Sequence, residues 1–112
     1  MLQLIATGNL TRDPELRQTN GGKSVCNFTI AANHEFKGAD GNRPTYIDVV
    51  VWEKRAIALA SLLKKGTRVF VKGELEAYAY TDKSEVKHEK HRIILGDLEI
   101  LSLRTNDNGG KE

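Results

Sequence analysis

One stretch of this chain constrains everything around it: residues 54–63, Lys-Arg-Ala-Ile-Ala-Leu-Ala-Ser-Leu-Leu, are the one run with helical spacing. Ala56, Ala60 and Leu63 recur four and three residues apart and so share one face of a helix. Lys64-Lys65-Gly66 follows as the expected C-terminal stop, basic side chains and then glycine. The other apolar runs alternate with period two or are rich in Val, Ile, Thr and aromatics, the composition of strands. A chain with one helix among many strands is an all-β domain.

The strands follow in order. Residues 2–7 are an extended run that ends at Gly8-Asn9. Asp13-Pro14 interrupts it, and residues 15–19 resume the extended pattern before Asn20-Gly21-Gly22, a hairpin signal. Residues 25–32 place Cys26, Phe28, Ile30 and Ala32 on one side, and residues 37–43 form a hydrophilic loop. Residues 45–52 make a third strand. After the helix, residues 68–80 make a fourth, with Val69, Val71, Gly73, Leu75 and Ala77 in phase. Its glycine marks a bend or a close crossing. A charged hairpin over residues 82–90 leads to a fifth strand at 92–103. Three strands, a helix and two strands are the order of the five-stranded Greek-key barrel called the OB-fold, with its helix between strands 3 and 4. Residues 1–103 are thus expected to be one domain, and the polar, Gly-rich residues 104–112 a short disordered tail.

Several function classes are disfavoured. Net charge is +2, which permits a polyanionic partner without demanding one. No run of 18 apolar residues offers a membrane span. The first seven residues lack a basic stretch and a long apolar core, so a cytoplasmic location is expected. Cys26 is the sole cysteine, which excludes an internal disulfide, and its phase with Phe28 and Ile30 makes it a core residue. His88 and His91 lie three apart, but no Cys or further His completes a metal site, and their basic segment reads as a solvated or phosphate-touching hairpin. Asp13, Asp40, Asp48 and Asp97 fall on separate elements with no nuclease-like clustering. No phosphate-cradling GxxxxGK[ST] loop is present. Neither an enzyme nor a cofactor is expected.

The aromatics are more informative. In residues 45–52, Ile47, Val49 and Val51 form the core row, which turns Tyr46, Asp48, Val50 and Trp52 to the other side. In residues 68–80 the core row leaves Phe70, Tyr78 and Tyr80 opposite, beside Arg68 and Lys72. Phe36 precedes the basic loop. Rings outside the core, interleaved with Lys and Arg, fit sequence-tolerant binding of single strands, since every base has a π-face to stack. The competing reading is a face that docks another protein.

Four motifs then make a resemblance. Residues 8–17 (Gly-Asn-Leu-Thr-Arg-Asp-Pro-Glu-Leu-Arg), 25–31, 46–52, and 63–66 with 69–75 resemble, in the same order, bacterial-type single-stranded DNA-binding proteins. The likeness runs from about residue 2 to residue 101. It implies sequence-independent coating of single-stranded DNA in replication, recombination or repair, by a nucleoid-associated homotetramer around which the DNA wraps. Position by position it implies stacking by Phe36, Tyr46, Trp52 and Tyr80. It also implies phosphate contacts from Lys37, Lys54 and Lys72, with Arg12, Arg17, Arg43 and Arg55 as weaker candidates. Two departures stand out. Glu74 and Glu76 follow Gly73 where the family is often basic, and Asp48 stands where some members carry Arg; carboxylates facing phosphate weaken affinity unless they point elsewhere. The family's long tail with an acidic, apolar tip is also missing, so recruitment of replication and repair partners through that tip is not expected.

Overall fold

The computed structural model describes residues 1–34 and 43–102. The expected elements appear in the expected order: β1 (Gln3–Leu10), β2 (Glu15–Gln18), β3 (Ser24–Ala32), β4 (Thr45–Trp52), α1 (Glu53–Leu62), β5 (Arg68–Thr81) and β6 (Lys87–Ser102). The strands hydrogen-bond in the order β1-β5-β6-β4-β3-β2. A further pairing of Asn9 and Leu10 with Ala31 and Ile30 joins β1 to β3, so five of the strands form a closed ring with the exposed β2 as an outer flap on β3. That ring, with a parallel β4–β6 pair and a helix between β4 and β5, is the OB-fold.

Inward alternation builds the core. Cys26, Phe28, Ile30, Val49, Val51, Val69, Val71, Ile93 and Leu95 pack together in it, joined by Ala56 from the helix face and by Leu63 from its extended C-cap. Each such Val, Ile or Leu side chain contributes on the order of 1.5–3 kcal/mol by leaving water. Burial also raises the Cys26 thiol above its usual range, since the thiolate would be charged in an apolar setting.

Two glycines let the ring close. A Cβ on Gly8 would fall on the Ala31 carbonyl, where β1 passes from β5 to β3, and one on Gly73 would fall on the Ile94 carbonyl. The close crossing read from Gly73 is therefore real. Beside it the ladder skips Gly96: Lys72 pairs with Asp97, but Gly73 pairs with Leu95. This bulge reverses the phase of β6, so the inward residues are Ile93 and Leu95 before it and Leu98 and Ile100 after it. The Arg55 guanidinium donates to the carbonyl oxygens of Leu95 and Gly96 and clamps the bulge from the helix.

Two boundaries differ from the sequence expectation. The helix ends at Leu62, its C-cap Leu63 is already extended, and no basic residue lies in its last turn. Gly66 instead takes φ +90° three residues later, and its N–H donates to the Leu10 carbonyl. The final hairpin is also tighter than expected, because pairing runs on to Thr81 and Lys87 and leaves only five residues outside the ladder.

Two of the recurring motifs meet at this end of the barrel. The Asn9 side chain donates to the Gly66 carbonyl and the Lys65 N–H donates to Asp13, at 3.0 and 2.8 Å. Fully buried Thr67 accepts the Lys64 N–H on its hydroxyl and the Leu10 N–H on its carbonyl. Asn9 and Asp13 are thus structural ties.

Candidate nucleic-acid interface

Residues opposite one another in register project to the same face. On the outer face of β2-β3-β4-β6-β5 they form rows that cross the strands, roughly 7 Å apart at two residues per row. Arg17, Val25 and Trp52 make the first row. Glu15, Asn27, Val50, Ile94 and Glu74 make the second. Thr29, Asp48, Arg92 and Glu76 make the third. Tyr46 follows Asp48 by one row on β4, Lys90 pairs with Tyr78, and His88 pairs with Tyr80 at the far end.

The three described rings expected to stack are open to solvent on this face: Tyr46 is 63%, Trp52 39% and Tyr80 42% exposed. None belongs to the core. Tyr80 stacks one side of its ring on His88, with centroids 5.0 Å apart. Tyr78 is half-buried beneath the Arg92 guanidinium, which sits 4.5 Å from its centroid. Val50 departs from a simple exposed row: it is almost fully buried, so the face has a small apolar patch between its rings.

The outer face is concave. The segment from Arg12 to Glu15, with Arg17, walls an open groove of about 600 Å³ whose floor includes Asn27, Thr29 and Asp48, with Tyr78 and Arg92 on its other side. Asp48 accepts the Thr29 hydroxyl at 2.7 Å and faces Lys90 at 3.7 Å; Glu76 accepts from Arg92 Nε at 2.7 Å. These two carboxylates do point into the ringed face.

The expected cations separate. Arg12 and Arg17 stand exposed at the groove, with Arg17 in the row of Trp52. Lys54 is exposed two residues beyond Trp52, in the first turn of α1. Arg43 is exposed just ahead of β4. Arg55 is exposed and turned to the β6 bulge, where its guanidinium donates to the Leu95 and Gly96 carbonyls. Lys72 lies between Ile5 and Asp97 on the β1 side of the barrel, about 26 Å along β5 from Tyr80. Phe36 and Lys37 lie outside the described residues.

Lys90 and Arg92 do not stand out in the sequence, because the charged segment reads as a loop. The signal is there in retrospect: His88, Lys90 and Arg92 alternate, and pairing across a five-residue loop brings them opposite Tyr80, Tyr78 and Glu76. The same alternation puts His88 and His91 on opposite faces of β6, so they share no ligand set.

Comparison with known proteins places the chain in a family. The single-strand binding protein family matches residues 1–101. A single-stranded DNA-binding protein of Lactiplantibacillus plantarum is 37% identical over 101 residues, covering 89% of this chain and 50% of its own. One from Wolinella succinogenes is 34% identical over 113 residues, with 98% and 70% covered. Single-stranded DNA-binding protein 1 of Chlorobaculum tepidum is 35% identical over 112 residues, with 96% and 68% covered. The chain spans from half to 70% of the length of these relatives. With a family match over nearly all of its residues, on a closed OB barrel with rings outside its core, the chain belongs to the single-strand binding protein family.

Proposed function

We propose that this protein coats single-stranded DNA without sequence preference and performs no chemistry on it. The observation that carries this reading is the exposure of Tyr46, Trp52 and Tyr80 on one outer sheet face with Arg12 and Arg17 along its groove. Bases stack on the rings, phosphates are neutralised by the flanking cations, and the closed barrel keeps the platform rigid. In this reading Phe36 also stacks a base, Lys37, Lys54 and Arg43 also meet phosphates, and Lys72 serves a strand that continues round to the β1 side. The working form is a homotetramer, and its place is the cytoplasm, on DNA exposed by replication, recombination or repair. No described helix is long and apolar enough to cross a membrane.

Trp52 makes the test direct. Titration with a dT oligomer is expected to quench its fluorescence strongly, and Tyr46→Ala to weaken binding by roughly 1–3 kcal/mol. An unquenched Trp52 and an unchanged affinity would assign the rings to a protein interface instead.

A further inference from the structure

The third row of the outer face is unusual for a surface offered to a polyanion. Across four strands it reads Thr29, Asp48, Arg92, Glu76, a guanidinium between two carboxylates. Glu76 takes Arg92 Nε at 2.7 Å, and Lys90, one row away, reaches Asp48 at 3.7 Å. All four side chains remain partly exposed, so an incoming strand meets the pairs and not bare cations. The row lies between the Trp52 and Tyr46 rows, and Arg92 also covers Tyr78.

We propose that Asp48 and Glu76 are built-in counter-ions of the DNA face, which hold Lys90 and Arg92 neutralised until a phosphate displaces them. The proposal rests on the DNA-coating reading and deepens it. A free surface cation binds phosphate while salt ions leave the DNA, and each phosphate neutralised contributes about −0.7 to the slope of log affinity against log salt for a single strand. A cation already paired to a carboxylate must exchange one anion for another, and the carboxylate left behind then faces the phosphates. Lys90 and Arg92 therefore add little to affinity or to salt dependence, and the face grips more loosely than its count of cations implies. The exchange also frees the ring of Tyr78, because Arg92 must swing towards the backbone of the strand. The two carboxylates thus set how readily the bound strand is released.

The test compares binding of a dT oligomer across a salt series for the full chain and for Asp48→Asn and Glu76→Gln. Each substitution is expected to tighten binding roughly two- to five-fold, the range of an exposed ion pair. Each is also expected to steepen the salt slope by up to about 0.7. Glu89→Gln removes the same charge from the opposite face of β6 and is expected to leave the slope unchanged. In a Lys90→Gln background Asp48→Asn should no longer steepen the salt slope, and in an Arg92→Gln background Glu76→Gln should no longer steepen it, because no freed cation remains to take a phosphate. Unchanged slopes for both row variants, or an equal gain from Glu89→Gln, would overturn the proposal. If one row variant fails to fold by thermal melting, the other with its own background decides. Failure of the unaltered chain to bind dT would instead overturn the DNA-coating reading itself.

Discussion

Asp82 shows how one side chain sets the reach of the outer face. Its Oδ1 accepts the N–H groups of Ser84 and Val86 at 2.9 Å each, and its Oδ2 accepts from His88 at 2.7 Å. Glu85, with φ +66°, completes the turn. The His88 bond first, then the Val86 and Ser84 N–H groups, hold the Asp82 carboxyl below the ordinary aspartate range. A carboxyl depressed in the folded state adds stability above its unfolded pKa, and that stability is lost as pH falls through the folded one. Turn order is therefore complete at neutral pH and declines only in acid, with a midpoint below that of a free aspartate. An acid titration of the Val86 amide resonance checks this; a midpoint at or above the usual value would show that the turn is not held by Asp82. Because His88 is both the Asp82 partner and the ring under Tyr80, the turn and the stacking platform are one assembly.

Among elements, the β5–β6 ladder carries the most information that alternation alone conceals. Period two reads β6 as one strand with one phase, yet the Gly96 bulge switches the inward set from odd to even residues. Arg55 holds that switch by donating to the Leu95 and Gly96 carbonyls. Charge-assisted hydrogen bonds of this kind are worth roughly 1.5–3 kcal/mol, so Arg55→Ala is expected to lower thermal stability by about 2 kcal/mol. A phosphate contact at this position would give the opposite pattern, an intact melting temperature with weaker DNA binding. Parallel measurement of melting and of dT affinity separates the two. The helix has a second task here, since its first residue, Glu53, takes φ +65° at the sheet-to-helix corner where Trp52 leaves the barrel. A non-glycine residue in that region costs of order 1–3 kcal/mol and is held by its surroundings.

For the whole molecule, the open part of the barrel, among the described residues, is β1. From Gln3 to Gly8 it pairs with β5 on one side, while its pairing with β3 begins only at Asn9. Leu2 and Ile5 are each 60% exposed beside that edge, which no described strand covers. An open edge with exposed apolar side chains is a template for a second strand. Under the proposal of a homotetramer this edge is a candidate subunit contact, and Ile5→Lys is then expected to lower the mass in solution. Lys suits this test because a charged side chain on an edge strand opposes pairing with another chain. An unchanged mass would move the subunit contact elsewhere on the barrel. The position of Lys72 beside Ile5 places it near this edge, remote from the rings.

Short-range pattern was enough to read the element order, the one helix among the described residues, the inward rows of β3 and β4, and the outward placement of Tyr46, Trp52 and Tyr80. Each depends on side-chain period and phase within one run of chain, which burial in a barrel then obeys. Pairing between distant runs decided the rest: the bulge at Gly96, the diversion of Arg55 to backbone carbonyls, the separation of Lys72 from the rings, and the counter-charged row of Asp48, Arg92 and Glu76. Residues 48, 76 and 92 are neighbours only because β6 lies between β4 and β5, and no local period encodes which strand stands next to which. Phase follows from a residue's position in its own strand, whereas a partner's identity follows from how the sheet closes.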